Sequence, residues 1–402
     1  MDKITFCIPS KSNLRYLKTC IPSIRNNAYR DDHDIIIFVD SDEDGTVEWL
    51  DQVKDKYNLI YYINPKLGEE LYGIGRAYDF CIEKSTTEIF MIFHADMILG
   101  KDADLKVYQN LHSVMADGYS THETKNEKTV VCATRIEPPL HPNNGEKILL
   151  DAGMYPEEFD EEMFFVQLDR LKVKNKTTEG IFAPWMMYKK EYLEILGGHD
   201  PILHSYREDS DVFNRMLLAG FKFVQNWEGF VYHFTGRGAG SFDGDEERHK
   251  FWQHQMNNST KDFIRKWGQN VNHTPMMKPI VFPKYDIGFI IKNCNSRLLE
   301  ALEPWCSTIY TDLEEFVLYE MKEQPNTLFN LSDRIKHYDS EKNNEILVEI
   351  DGNTFGNEEF RHIQNLSSII QGSGEIGRFE LGNLILEIVQ LNTYENDLIK
   401  LQ

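Results

Sequence analysis

The sequence has little of what marks a secreted or membrane-embedded chain. Its 402 residues carry six cysteines (Cys7, Cys20, Cys81, Cys132, Cys294, Cys306) with no CxxC pair. Several sit in apolar runs such as Ile4-Thr-Phe-Cys7-Ile8, which argues against a disulfide framework and for free thiols in a reducing compartment. No apolar run approaches the ~18 residues that span a bilayer. The first residues read directly into a strand with no signal-peptide core, so a soluble, cytoplasmic protein is expected. Positive charge is also short: 43 Lys and Arg against 65 Asp and Glu give a net charge of −22. That balance disfavours an electrostatic grip on nucleic acid or on an anionic membrane. A hydrophobic fraction of 41% and an aromatic fraction of 12% are enough for a sizeable core and exclude global disorder.

The first hundred residues alternate strand and helix signals. Ile4 to Ile8, Ile35 to Val39, Leu59 to Ile63 and Ile89 to Phe93 are short apolar runs, the pattern of strands buried on both faces. Helical spacing separates them over Leu14 to Ile24, Val47 to Val53 and Gly73 to Glu83. Strands alternating with helices predict a parallel sheet with right-handed crossovers. In such sheets ligands bind outside the carboxyl ends of the strands. Three strands end there in polar clusters: Pro9-Ser10-Lys11, Asp40-Ser41-Asp42 and His94-Ala95-Asp96.

The pattern loosens from 101 to 180, with turn chemistry at 138–145. Gly180 to Tyr188 reads as strand, Lys189 to Leu196 as a helix stopped by Gly197-Gly198, and Asp209 to Ala219 as a helix. Phe221 to Val224 and Phe230 to Phe234 read as two further strands, and Phe251 to Trp267 as a helix. We expect a first domain over 1–268, a linker over 269–283 and a small C-terminal α/β domain over 284–402, which contains no motif with a mechanism.

Three segments could carry chemistry. Asp96, at a strand end, suits Mg²⁺ or Mn²⁺, which take oxygen ligands and substrate phosphates; it could equally cap the next turn. Glu208-Asp209-Ser-Asp211 opens a helix, where the dipole favours acids and where a carboxylate beside a cleft could take a proton from an incoming hydroxyl. His233 lies inside an apolar strand, where it could be a satisfied core residue or a ligand, before the Gly236-Arg-Gly-Ala-Gly240 loop, whose backbone could approach an anion.

Taken in order, these segments resemble the family 2 glycosyltransferases of the GT-A fold over roughly residues 3 to 240. The opening strand, loop and helix, the acidic turn at Asp40-Ser41-Asp42, and His94-Ala95-Asp96 in the place of the DxD metal motif all fit that order. So do the Leu196-Gly-Gly-His-Asp200 segment and the helix Glu208-Asp209-Ser-Asp211-Val-Phe-Asn-Arg215. The resemblance implies a Rossmann-like, mostly parallel sheet with flanking helices. It implies a metal-dependent, inverting, hexosyltransferase-like enzyme that moves a sugar from a nucleotide donor to a hydroxyl of a glycan, lipid-linked or protein acceptor.

Residue by residue, the resemblance implies that Pro9, Ser10, Lys11, Asp40, Asp42, Arg76, His94 and Ala95 bind the nucleotide sugar. Asp96 and His233 would hold Mn²⁺ or Mg²⁺. Asp209 would be the base, with Glu208 in support, and Trp185, Gly198 and His199 would lie on the acceptor side. Two departures stand out. His94 replaces the first acid of the metal motif, and Ala77-Tyr78-Asp79 stands where the family reads Ala-Arg-Asn, with Arg76 as the replacement cation. Both keep a second reading open, a catalytically weak or inactive carbohydrate- or nucleotide-binding protein on the same fold. A nucleotidyltransferase would need a Gly-rich basic loop after the first strand, and 9–13 has no glycine.

Overall fold

The computed structural model describes residues 1–112, 128–235 and 246–401. The Gly-rich loop after Thr235 lies outside the described residues, so the anion-approach expectation for it has no counterpart below. The first part of the chain supplies β1 (Thr5–Lys11), β2 (Asp34–Ser41), β3 (Leu59–Ile63), β4 (Ile89–Ile92), β5 (Met97–Leu99) and β6 (Thr129–Glu137). It continues with β7 (Ile148–Leu149), β8 (Thr177–Thr178), β9 (Trp185–Tyr188) and β10 (Lys222–His233). Its helices are α1 (Leu14–Asn27), α2 (Thr46–Val53), α3 (Ile74–Lys84), α4 (Ala103–His112) and α5 (Glu161–Leu171). They are followed by α6 (Lys189–Glu191), which runs into a π turn at Tyr192–Leu196, then α7 (Glu208–Leu218) and α8 (Glu246–Trp267).

Ten strands form one sheet with the path β3-β2-β1-β4-β9-β6-β10-β5. The pairs β1–β2, β2–β3, β1–β4 and β6–β10 are parallel. The sheet is mostly parallel, as expected; β9 runs antiparallel between β4 and β6, and the short β5 and β8 run antiparallel to β10. Two antiparallel steps restore direction, so β6 and β10 point the same way as β1, β2 and β4. The carboxyl ends of β1, β2, β3, β4, β6 and β10 therefore share one edge. Apolar residues of both faces are buried, with Phe6, Ile8, Ile37 and Val39 in one core layer and Cys7, Ile36, Phe38 and Phe90 in the other.

Two strand assignments differ from the sequence reading. Phe221–Val224 and Phe230–Phe234 belong to one long strand, because the register shift between Asn226 and Phe230 absorbs the polar residues between them. The stretch read as loose contains β6, whose run Val130-Val-Cys-Ala133 is fully buried. All six cysteines are free and five are buried, as expected. No helix among the described residues is long and apolar enough to cross a membrane.

The C-terminal part builds a second sheet of six strands, β11 (Ile287–Lys292), β12 (Thr308–Thr311), β13 (Ile335–His337), β14 (Ile346–Asp351), β15 (Gly377–Leu381) and β16 (Leu384–Ile388). Its order is β13-β12-β11-β14-β16-β15. The end of α8 is shared between the two parts. Ile264 packs into the second core, whereas Phe263 and Trp267 pack against Leu203. Arg265 is buried in a cage of Glu303 (2.6 Å), Glu323 (2.8 Å) and Asp262 (2.8 Å). The adjacent Lys266 turns the other way, to Asp200 (2.7 Å) and Asp211 (2.6 Å).

The expected linker is not a free tether. Ile181 N–H donates to the Met277 carbonyl (3.4 Å), Lys278 pairs with Glu179 (2.6 Å), and Gln269 binds the backbone of Ile280 and Phe282. A Cβ on Gly180 would stand 2.0 Å from the Met276 carbonyl oxygen, so only glycine admits that approach.

Candidate active site

Because these strands end on one edge, residues far apart in sequence meet there. A cavity of about 290 Å³ is lined by Pro9, Ser10 and Lys11 from β1, Asp40 from β2, and His94, Ala95 and Asp96 after β4. Tyr78 from α3, Ser205 and Tyr206 before α7, and His233 at the end of β10 complete much of its wall. Of the ten residues expected at the nucleotide sugar or the metal, eight line this cavity (Pro9, Ser10, Lys11, Asp40, His94, Ala95, Asp96 and His233), and Asp42 and Arg76 do not. The hydroxyls of Ser10 and Tyr78 are buried there without a hydrogen-bond partner. Buried polar groups are normally paired, so both hydroxyls suit a polar ligand.

Asp40 is already partly engaged. Its Oδ1 accepts from Asn64 (2.9 Å) and Tyr72 N–H (2.6 Å), and its Oδ2 from Gly73 N–H (3.1 Å). It thereby fixes the turn that starts α3 and keeps a free lone pair on Oδ2 for a ligand hydroxyl. Asp42 lies outside the cavity, where Oδ2 accepts from Val47 N–H at 3.3 Å. Arg76 is exposed and stacks on the Tyr72 ring, 4.3 Å from its centroid, so it does not replace the family's arginine on the cavity wall. Tyr78 takes that wall position with a neutral phenol. Burial pushes its pKa up, with Glu208 and Asp96 adding to the effect.

His94, Asp96 and His233 each present a ligand atom, and the three atoms lie within 4.8 Å of one another. His233 Nε2 stands 3.5 Å from Asp96 Oδ1, and its Nδ1 is 2.9 Å from Glu137 Oε1. That contact makes Nδ1 the donor and leaves Nε2 turned toward Asp96, as the outer carboxylate does at metal-bound histidines. Glu137 is itself held by Lys147 (2.7 Å) and Arg135 (3.2 Å). Burial favours the neutral form of His233, but Asp96 and Glu137 outweigh it and raise its pKa to about 9. Burial lowers His94 to about 4, so its imidazole is neutral and able to ligate. Two imidazoles and a carboxylate fit a divalent transition ion.

A second, smaller cavity of about 130 Å³ adjoins the first, and His94 lines both. Asp209 lies on its wall, exposed in the first turn of α7, with Oδ1 accepting from the Ser210 backbone (2.6 Å). Neighbouring Glu208 is buried, with Oε2 unpartnered. Burial and then the charge of Asp209 raise its pKa to about 8. It is therefore protonated at neutral pH and is not a second base. Behind them, Asp211 receives Arg215 (2.7 Å), Lys266 (2.6 Å) and Trp267 Nε1 (2.9 Å), and Arg215 also binds the Leu196 and Gly198 carbonyls. These bonds fix the first turn of α7.

The three residues expected on the acceptor side are structural instead. Trp185 is 2% exposed, in edge contact with Phe90 and Phe213, so no sugar can stack on it. His199 bonds through Nδ1 to Asp79 (2.8 Å) and to Tyr192, and its backbone N–H donates to Asp79 (2.8 Å). Gly198, at φ +96°, lies so near Asp79 that a Cβ would be 2.8 Å from its carboxylate. Asp79 thus anchors this turn. Sequence reasoning missed Arg135, Glu137 and Asn214, and read Tyr78 only as a lost arginine. The apolar run of β6 was the signal that could have found Arg135 and Glu137.

Strand ends converging on adjoining cavities define a ligand-binding α/β domain of the doubly wound kind. Residues 5–196 match the family model described as "Glycosyl transferase family 2". The match spans just under half of the chain and supports a family 2 glycosyltransferase domain over these residues. The match ends before α7 and β10, so the reading of Asp209 and His233 rests on their geometry. No curated protein compared with the chain matches it significantly. Among solved structures, S. aureus TarS 1-349 is similar at 12% identity over 66% of this chain and 74% of that one, with a TM-score of 0.39. GalNAc-T7 with UDP, GalNAc and Mn²⁺ is similar at 13% identity over 64% and 51%, with a TM-score of 0.41. Likenesses at these scores carry no argument about substrate or metal.

Proposed function

We propose that the protein is a metal-dependent, inverting glycosyltransferase that uses a nucleoside diphosphate sugar and a hydroxyl acceptor. The observation that carries this reading is the pair of cavities meeting at His94, one bounded by the His94–Asp96–His233 cluster and the other by the Asp209 carboxylate. Ser10, Tyr78 and Asp40 offer hydrogen bonds to the nucleotide, with Pro9 and Lys11 beside them. His94, Asp96 and His233 would hold the ion, and the imidazole pair favours Mn²⁺ over the oxygen-seeking Mg²⁺. When bound, such an ion supplies Lewis-acid charge to a departing diphosphate. Asp209 accepts the proton of the acceptor hydroxyl. Its position across His94 from the donor cavity supports attack on the face opposite the leaving group, hence inversion.

Residues 1–268 would form the transferase domain and 284–402 an accessory domain, joined by the docked segment 269–283. The test is a thermal-shift titration of the full chain with UDP, GDP, ADP and CDP, with and without Mn²⁺. A ligand at 100 times its Kd stabilises by about 2.7 kcal/mol, so one nucleotide should raise Tm clearly and only with the ion. No shift with any nucleotide in Mn²⁺ contradicts the proposal.

A further inference from the structure

The C-terminal part of the chain reaches back to the helix that carries Asp209. Beyond β16 the backbone is first tied to its own sheet. Tyr394 N–H donates to the Lys284 carbonyl (2.8 Å), Lys284 N–H to Glu395 Oε2 (3.1 Å), and the Tyr394 hydroxyl to Glu345 Oε1 (2.8 Å). A 3₁₀ turn at Glu395–Leu398 then lies against α7. Half-buried Leu398 packs on the cluster of Leu203, Phe263 and Trp267. Three residues on, Leu401 N–H donates to the Leu196 carbonyl (3.2 Å). A Cβ on Gly197, at φ +76°, would stand 3.4 Å from Leu401, so the segment rests directly on the turn that precedes α7.

Both contacts converge on the first turn of α7. The Leu196 carbonyl that receives Leu401 also receives Arg215 (2.8 Å), whose guanidinium binds the Gly198 carbonyl (2.7 Å) and Asp211 Oδ2 (2.7 Å). Trp267, in the cluster under Leu398, donates Nε1–H to Asp211 Oδ1 (2.9 Å). Asp211 is fully buried and stands two residues after Asp209. Among the described residues Asp209 itself bonds only Ser210, in its own turn, so the helix alone sets where its carboxylate points. A misplacement of ~1 Å at a reacting group costs on the order of 100-fold in rate. Resting on the transferase reading above, we infer that segment 394–401 braces the base: Leu398 and Leu401 are positioning residues, and the C-terminal domain serves catalysis by fixing α7.

The experiment compares the full chain with Leu398→Asp, Leu398→Ala and Leu398→Met, the alanine variant keeping the test if the charged one does not fold. Hydrogen exchange read by mass spectrometry reports on the brace without any substrate. Exchange over 196–211 should quicken about tenfold or more in the Asp and Ala variants, stay unchanged in β1 and β2, and return to the wild-type rate in Leu398→Met. Turnover of UDP-glucose, UDP-N-acetylglucosamine, GDP-mannose and ADP-glucose in Mn²⁺, well below Tm, reads the consequence. In the Asp and Ala variants kcat should fall about tenfold or more while the Kd of the nucleoside diphosphate stays within about twofold, and Leu398→Met should recover the rate. Unchanged exchange over 196–211, a lower Tm with kcat intact, or a parallel loss of kcat and nucleotide affinity overturns the inference. A wild type that turns over none of the donors, with exchange responding as expected, contradicts the transferase reading instead and leaves the brace standing.

Discussion

Glu208→Gln should stabilise the protein, and by more as the pH rises. Glu208 is buried at the start of α7 with one carboxyl oxygen unpartnered and Asp209 beside it, which lifts its pKa from 4.5 to about 8. Between those values the folded chain holds a proton that the unfolded chain releases, so stability falls with rising pH across this window, at up to about 1.4 kcal/mol per unit. Glutamine keeps the shape of the protonated acid and never ionises. The cost it removes is about 2 kcal/mol at pH 6 and nearer 5 at pH 9, so the advantage of the variant should grow by about 2–3 kcal/mol over that range. Thermal unfolding of both proteins at pH 6, 7, 8 and 9 measures it, and groups common to both cancel in the difference. A difference that does not change with pH, or a wild type that gains on the variant at pH 9, refutes the reasoning.

Other outcomes follow from the same contacts. Trp185→Ala should cost about 3–5 kcal/mol as a core cavity, seen as a lower Tm, whereas Trp185→Phe should keep transfer activity; loss of acceptor binding without loss of stability would return Trp185 to the site. Arg265→Met leaves Glu303 and Glu323 short of their shared cation and should cost about 3–5 kcal/mol, measured by thermal unfolding. Glu137→Gln weakens the contact that orients His233 and should lower Mn²⁺ affinity by about 10- to 100-fold, measured by EPR titration.

The parts of the site that are local in sequence were legible. Apolar runs closed by Pro9-Ser10-Lys11, by Asp40 and by His94-Ala95-Asp96 announce buried strands with polar ends, and a parallel sheet brings such ends together. The acids opening α7 were legible for the same reason. What escaped depends on contacts between distant segments. β6 lies in a stretch read as loose, so Glu137 had no apparent link to His233, 96 residues away. Asp79 looks like a lost ligand in sequence and is an anchor in space, because its partners Tyr192 and His199 are brought in by the turn at Gly198. The segment 269–283 reads as a linker from its prolines and polar residues. The close approach at Gly180 and the bonds from Ile181 and Glu179 dock it against the first sheet's loops.

The most direct test of the account is the rate of nucleotide-sugar turnover, measured over a panel of donors with Mn²⁺, with excess chelator, and with Asp209→Asn. The account predicts turnover of a donor class that chelation abolishes and that Asp209→Asn lowers by about 100-fold or more. Turnover of no donor in Mn²⁺, or an Asp209→Asn variant as fast as the wild type, would contradict it.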